Sequence, residues 1–513
     1  MPVDPKTLPQ DTETLRKIVV DLTAQLDRTE RLLRQLLQAK TGRKSEQLSR
    51  EQLALFAAEA GLVIPELEPA EQDEKSDDPP PGATGGNKPR GRKPLPRHLK
   101  RERIEHDLAE SEKHCLHCAQ DLRRIGEEVS ERYEYIPAQM KVIEDACFTY
   151  ACACMVKTAT KPSQPIEKST AGASLLAQVI VAKYADHLPL HRQVKMFARH
   201  GVELSDQTLC GWTAQCAQLL EPLYQRLKRF VLASKVVGTD DTPVKVLDRK
   251  LPQARKGRIW PYVGDRDHVA AVYDYTATRE RAGPEEFLKS YRGHLQADAY
   301  VAYDAFFTQP ERGMVEVGCW AHARRHFHEA LDTDPSRMRT VLLLIAQLYA
   351  VERTARGFEG EPLRLLREHG SLPVLARLHT YLIEIQNQVL PKSEAGQAVA
   401  YTLKNWTALT RYCQNPDLSI DNNATERALR CFAVGRANWT FFGSDRGGQT
   451  AAVLRSFVTS CELVKVDPFA WFYDVLSRIA DHPITKLDEL LPHRWAAVYC
   501  LPSSSGGFTR MKI

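Results

Sequence analysis

The chain has no long apolar run. Its most hydrophobic stretch, VLLLIAQLYAV at 341–351, contains a glutamine and is too short to span a bilayer, so no membrane partner is expected. The opening MPVDPKTLPQDTETL is polar and acidic and lacks the apolar core of a secretion signal, so the expected compartment is the cytoplasm. In that setting the 12 cysteines read as reduced thiols or metal ligands. Net charge is small, +5 over 513 residues. Bulk electrostatics therefore give no argument for a polyanionic partner, and local charge runs carry the information. A Walker A sequence is missing, which argues against ATP-driven action. His322 and His326 have the spacing of a metalloprotease helix, but Ala323 stands where HExxH requires glutamate. The length exceeds what one core accommodates, so several domains are expected.

Residues 13–40 carry Leu15, Val19, Leu22, Leu26, Leu33 and Leu36 at alternating spacings of four and three, with Thr29 the polar member. This is a coiled-coil seam of about three heptads, which serves either dimerisation or packing on the same chain. Residues 65–87 are acidic and then rich in Pro and Gly, a composition that cannot bury a core. They end in KPRGRKPLPRHLKRER, where Lys88, Arg90, Arg92, Lys93 and Arg97 form a dense basic run. PRGRKP resembles an AT-hook, whose arginines enter a narrow minor groove; a solvated linker with nonspecific phosphate affinity is the alternative. The segment 65–103 is thus a disordered linker with a basic end.

Within 104–160, HCLHC supplies Cys115 and Cys118, and YACAC supplies Cys152 and Cys154. Two close pairs brought together by a β-hairpin would complete a tetrahedral structural zinc site. His114 and His117 are possible substitutes, and reduced surface cysteines are the plain alternative. Four thiolates leave no open position, so no catalysis is assigned there. Residues 172–232 are helical in pattern. Ser205 is a plausible N-cap, and helix–GVELS–helix fits either a helix-turn-helix or ordinary packing.

From 234 the pattern changes to strands. VVGTDDTPVKVL, GRIWPYVGDRD and HVAAVYDYTAT read as an antiparallel meander. FLKSY suggests a helix, GHLQADAY a fourth strand, AYDAFF a helix, and MVEVGCW a fifth strand. This sequence of elements outlines an RNase-H-like domain over 234–332 and 419–475, interrupted by a helical insertion at 333–418 and followed by a tail at 476–513. The expected fold class is multidomain α+β: coiled-coil helix, zinc finger, helical DNA-binding region, and RNase-H-like catalytic domain with a helical insertion.

Three carboxylates qualify for a site holding two divalent ions: Asp240, Asp298 and Glu426. Asp240 and Asp241 are adjacent and point to opposite faces of a strand, and spacing does not choose between them. Asp304 is the rival of Asp298. Glu426 lies in DNNATERALR, where Asn423 as N-cap would put it at N3, the capping-box position. A helix-capping glutamate is therefore the alternative to a metal ligand.

Taken together, TDDTPV, LQADAY, CWAHARRHF, DNNATERALR and GRANWTFFGSDRGG resemble the transposases of the insertion sequence 66 family, which carry a DDE triad. KYADHLPLHRQ, the paired cysteines and the leucine-patterned N-terminus followed by GRKSEQL extend the likeness over nearly the whole chain. The resemblance implies that Asp240, Asp298 and Glu426 are the triad, holding two Mg²⁺ (Mn²⁺ being an alternative) for hydrolysis at element ends and transfer of the 3′-hydroxyl to target DNA. It supports DNA contact or base capture near Cys319, Trp320, His322, Arg324 and Arg325, with packing and surface charge as the alternative. It also implies a homodimer or larger assembly, possible accessory transposition proteins, and a nucleoid-associated bacterial setting. Asp241 departs from the family, which commonly has Glu there. Trp439, Ser444, Asp445, Arg446, Gly447 and Gly448 read as a loop beyond the catalytic helix, either near phosphate or as a plain turn. The rival functions are an RNase-H-fold nuclease without strand transfer and a zinc-containing DNA-binding regulator that has lost catalysis.

Overall fold

The structure is a computed structural model that describes Arg103 and residues 139–499, apart from 152, 153, 162, 249, 299 and 300. The coiled-coil seam, the basic run with Lys88, Arg90, Arg92, Lys93 and Arg97, and Cys115, Cys118 and Cys152 lie outside the described residues. The chain divides into two compact units, one of them Glu68–Phe148, of which only Arg103 and residues 139–148 are described.

The other unit begins, among described residues, with a hairpin of β1 (Thr149–Ala151) and β2 (Val156–Thr158), closed by the hydroxyls of Thr149 and Thr158 at 2.9 Å. Cys154 is exposed in its turn. Three helices follow: α1 (Ala173–Tyr184), α2 (Leu190–Arg199) and α3 (Asp206–Leu232). Ser205 caps α3 as expected, its Oγ accepting the Thr208 N–H at 3.0 Å. Leu209, Cys216, Leu220, Leu223 and Leu227 recur at helical spacing and are fully buried, so α3 is core-packed for most of its length. Glu203, Asp206, Gln207 and Cys210 remain exposed around its start.

The sheet comprises β3 (Val236–Thr239), β4 (Thr242–Val246), β5 (Arg255–Val263), β6 (Ala271–Thr276), β7 (Gly293–Gln296) and β8 (Met314–Val317). The long β5 pairs antiparallel with β4 through its first half and with β3 through its end, and its other edge pairs antiparallel with β6. The β3–β4 segment is therefore one line of chain interrupted at Asp240–Asp241. On its far side β3 runs parallel to β7, and β7 parallel to β8. The order across the sheet is β6, β5, β3/β4, β7, β8. In β4 the buried Thr242, Val244 and Val246 alternate with the exposed Pro243 and Lys245, the pattern of a strand with one covered face. Most of β5 is buried, as for a strand covered on both sides.

Short helices α4 (Ala282–Phe287) and α5 (Val301–Phe307) precede and follow β7. The α4 helix ends where FLKSY was expected to be helical. After β8 comes α6 (Trp320–Glu329), and then the insertion: α7 (Pro335–Thr354), α8 (Gly360–Gln386), α9 (Glu394–Lys404) and α10 (Trp406–Thr410). Leu342, Ile345, Leu348, Leu378 and Leu382 build its separate core. The buried Arg367 spans it, its Nε and Nη2 each donating to Glu352 at 2.8 Å and its Nη1 to the Tyr412 and Leu418 carbonyls at 2.8 and 3.0 Å.

The chain then returns to the sheet with α11 (Asn423–Trp439) and α12 (Asp445–Leu463). The α12 serines engage β6 directly: Ser456 Oγ accepts the Tyr273 N–H at 2.8 Å, and Ser460 Oγ the Ala271 N–H at 3.2 Å. These bonds occupy backbone groups that an edge strand would otherwise leave open. Residues 476–499 are not a tail. The end of α13 (Pro468–Arg478), a 3₁₀ segment at Ile484–Leu490 and α14 (Pro492–Tyr499) fold back on the core. Leu490 and Trp495 are buried there, and Trp471 Nε1 donates to the Leu490 carbonyl at 2.9 Å.

Candidate active site

The structure separates the two adjacent aspartates. Asp241 is only 3% exposed and is held by Arg258 at 2.6 Å and by Arg279 at 2.7 Å. Its oxygens are committed to a structural ion pair. Asp240 makes no pairing with Lys or Arg among the described residues; its Oδ1 accepts only the Asp241 N–H, at 2.6 Å.

Parallel register places Asp298 beside Asp240. Gly238 lies opposite Gln296, and Asp240 and Asp298 each follow two residues later, near enough that the Asp298 charge helps raise the Asp240 carboxyl. Helix α11 is anchored to the same strand end: Asn422 Nδ2 donates to the Thr239 carbonyl at 2.8 Å. Close approach is possible because residue 238 is glycine. A Cβ there would stand 2.2 Å from Thr425 Oγ1 and 2.9 Å from Asn422 Oδ1.

Glu426 sits one position deeper in its helix than the capping box requires. The helix begins at Asn423 without a side-chain bond from Asn422. Asp421 does the capping instead, accepting from the Asn423 N–H at 3.2 Å and its Nδ2 at 2.7 Å. Tyr349 of the insertion donates to the same carboxylate at 3.0 Å. Glu426 is thereby released from any capping duty.

The electrostatics reflect this convergence. Burial pushes the Asp240 carboxyl up to about 7, and the nearby charges of Asp298, Asp241 and Glu426 push the same way, against the Asp241 N–H bond. A half-buried, oxygen-only donor set with no Lys or Arg paired to Asp240 among the described residues suits hard divalent ions. Asp304, the rival of Asp298, lies on α5 within reach of Lys404 at 3.9 Å.

Trp320 is not available to DNA. It is fully buried, and its indole N–H donates to the Leu409 carbonyl at 2.8 Å. Insertion helix α10 covers it, so it locks the insertion to the sheet. His322 is half-buried with Nδ1 3.7 Å from Glu426 Oε1. Arg324 is half-buried, its Cζ 6.0 Å from the centre of the Tyr349 ring, and Arg325 is half-buried beside it. Cys319 is buried at the start of α6, and burial pushes its thiol up to about 12. Among described residues, Cys319, His322 and Glu426 bring one ligand atom each within 4.8 Å of one another, a grouping that the Cys-x-x-His spacing signalled and the sequence reading did not use. It includes neither Asp240 nor Asp298.

The segment expected as a loop after the catalytic helix is also different. Ser444 is an N-cap, accepting the Gly447 N–H at 3.3 Å, and Asp445, Arg446, Gly447 and Gly448 form the first turn of α12. Gly448 is small because a Cβ would stand 2.5 Å from the Tyr275 ring. Sheet packing, not approach to phosphate, explains it.

Comparison with known families sets the class: the chain is a transposase, a nucleic-acid-processing enzyme with DNA as its partner. It belongs to the IS66 transposase family. The model for the Transposase IS66 family matches residues 168–450, and that for the IS66 C-terminal element matches 456–493. The zinc-finger binding domain of transposase IS66 matches 112–154, which supports a structural zinc ion in the segment carrying Cys115, Cys118, Cys152 and Cys154. The model described as Transposase C of IS166 homeodomain matches 28–104. Uncharacterized protein y4jD of Sinorhizobium fredii is 33% identical over 516 residues, 96% of this chain and 97% of its own. Uncharacterized protein y4hP of the same organism is 33% identical over 428 residues, 79% and 77% of the two chains. No helix among the described residues is long and apolar enough to cross a membrane.

Proposed function

We propose that this transposase cuts the ends of its element and joins them to target DNA, with Asp240, Asp298 and Glu426 holding two Mg²⁺ ions. What supports this reading is that Asp240 and Asp298 follow the parallel strands β3 and β7, that Glu426 lies in the first turn of α11, and that burial, with the charges of Asp298 and Glu426 adding to it, raises the half-buried Asp240 carboxyl to about 7. The strand order β6, β5, β3/β4, β7, β8, antiparallel then parallel, supports an RNase-H-like catalytic domain. Bound divalent ions would stabilise the attacking and leaving oxygens of an in-line phosphoryl displacement. The protein's own part is to fix the three carboxylates, keep Asp241 out of the site through Arg258 and Arg279, and bring DNA to them.

End recognition falls to the zinc finger, the basic run from Lys88 to Arg97, and the exposed start of α3 as a helix-turn-helix. Arg324 and Arg325 contribute near the site. Pairing of two ends calls for at least a dimer, for which the 13–40 seam is the natural contact, with or without accessory transposition proteins. The reaction belongs in the bacterial cytoplasm at the nucleoid.

The test is strand transfer by the full-length protein with Mg²⁺ on DNA carrying the element's ends, wild type beside Glu426→Gln. Joined products from wild type alone, with end binding equal in both, support the reading. Cleaved but unjoined products indicate a nuclease, and binding without cleavage indicates a regulator. Equal joining by both proteins returns Glu426 to a structural role.

A further inference from the structure

Next to the carboxylate cluster lies a donor set of different chemistry. Cys319 and His322 stand three residues apart at the start of α6, a spacing that puts them on one helix face. Glu426 meets them from α11, and the three ligand atoms lie within 4.8 Å of one another. The 3.7 Å between His322 Nδ1 and Glu426 Oε1 is too long for a hydrogen bond. Yet both atoms are buried and have no hydrogen-bond partner. Two ligands bound to one tetrahedral ion at about 2.0–2.1 Å stand about 3.3–3.4 Å apart, close to that gap. Burial holds Cys319 as a thiol, so a bound ion must displace its proton; the Asn422 N–H, which the sulfur accepts at 3.3 Å, works in the direction of the thiolate.

We propose that Cys319, His322 and Glu426 form a soft-metal site that takes Zn²⁺ or another thiophilic divalent ion, with the fourth position left to water. Thiolate and imidazole select such ions over Mg²⁺, which prefers oxygen donors. Because Glu426 belongs to both donor sets, an ion bound here withdraws it from Asp240 and Asp298. Zinc then acts as a competitive brake on the Mg²⁺ reaction. That consequence rests on the function proposed above; the binding itself does not.

The test compares full-length wild type, Cys319→Ser and His322→Gln after metal removal. Bound Zn²⁺ is counted per chain, and Co²⁺ is followed by its thiolate charge-transfer absorption. The zinc finger contributes equally to all three, so the difference is the readout. Wild type is expected to bind one ion more than either variant, with extra cobalt–thiolate absorption lost in Cys319→Ser. His322→Gln alters a half-buried side chain and keeps the test decisive if Cys319→Ser fails to fold. Equal stoichiometry and equal affinity in wild type and His322→Gln overturn the proposal. An extra ion in a protein that never cleaves DNA leaves the soft site standing and removes the transposition chemistry. Cleavage without the extra ion does the reverse.

Discussion

Replacing Asp240 with Asn should make the metal-free protein more stable. The Asp240 carboxyl stands at about 7 in the fold, with burial the leading cause and the charges of Asp298, Asp241 and Glu426 adding to it, against an ordinary value of 3.8. The folded protein therefore holds this proton more tightly than the unfolded chain does. Stability without divalent ions falls as pH rises from about 4 to about 7, and levels off above that. The difference in affinity corresponds to a cost on the order of 4 kcal/mol at pH 8. Asparagine keeps the shape and removes the charge, so Asp240→Asn should melt several degrees above wild type at pH 8 in chelator. The gap should shrink to a small remainder at pH 4 and vanish below the ordinary value of 3.8, where the wild-type carboxyl is protonated in both states. Added Mg²⁺ should raise the wild-type melting temperature and leave the variant unmoved, because only the intact cluster gains binding free energy. Thermal melts across pH, with and without Mg²⁺, check all three expectations. A variant that melts below wild type in chelator at pH 8, or a gap that persists unchanged at pH 4, refutes the account of a charge-strained site.

Three other substitutions test neighbouring assignments. Asp241→Asn weakens the contacts to the partly exposed Arg258 and Arg279 and should destabilise the fold by about 1–3 kcal/mol in denaturant titrations, opposite in sign to Asp240→Asn. Gly238→Ala drives a Cβ into Thr425 Oγ1 and should cut strand transfer at least tenfold; Thr425→Ala on top should recover part of it, measurable as a coupling in a double-mutant cycle. Trp320→Phe removes the bond to the Leu409 carbonyl and should cost about 1–3 kcal/mol of stability. The salt dependence of DNA binding should not change, since the indole is sealed from solvent.

The strand order was readable because consecutive strands lie near one another and each carries its own apolar pattern; only the end of β3 broke the rule. Alternation assigns faces only while a strand continues, and β3 stops at Thr239 before β4 starts at Thr242. What sets Asp241 apart from Asp240 is its pairing with Arg258 and Arg279, which no local pattern connects to it. Helix α11 is legible in the sequence, but Asn423 is one residue late as its cap: the helix starts after Asn422, where Asp421 takes the Asn423 N–H and is itself held by Tyr349, 72 positions earlier. Trp320 looked like a DNA contact because basic residues surround it in sequence. Its cover comes from Leu409, 89 residues on. The C-terminal segment, broken by prolines and charges, offered no periodicity, and its burial is visible only where Trp471 meets Leu490.

The insertion has a consequence for how the protein is made. Arg367 and Tyr349 grip the chain just before α11, through the Leu418 carbonyl and the Asp421 carboxylate. A nascent chain leaving the ribosome thus presents its finger, its basic run and both aspartates well before Glu426 can be seated. Under the proposed triad, seating of the third carboxylate is expected to depend on these insertion contacts. Polypeptides cut short before residue 421 lack Glu426, so under the proposed triad they are expected to cut no DNA.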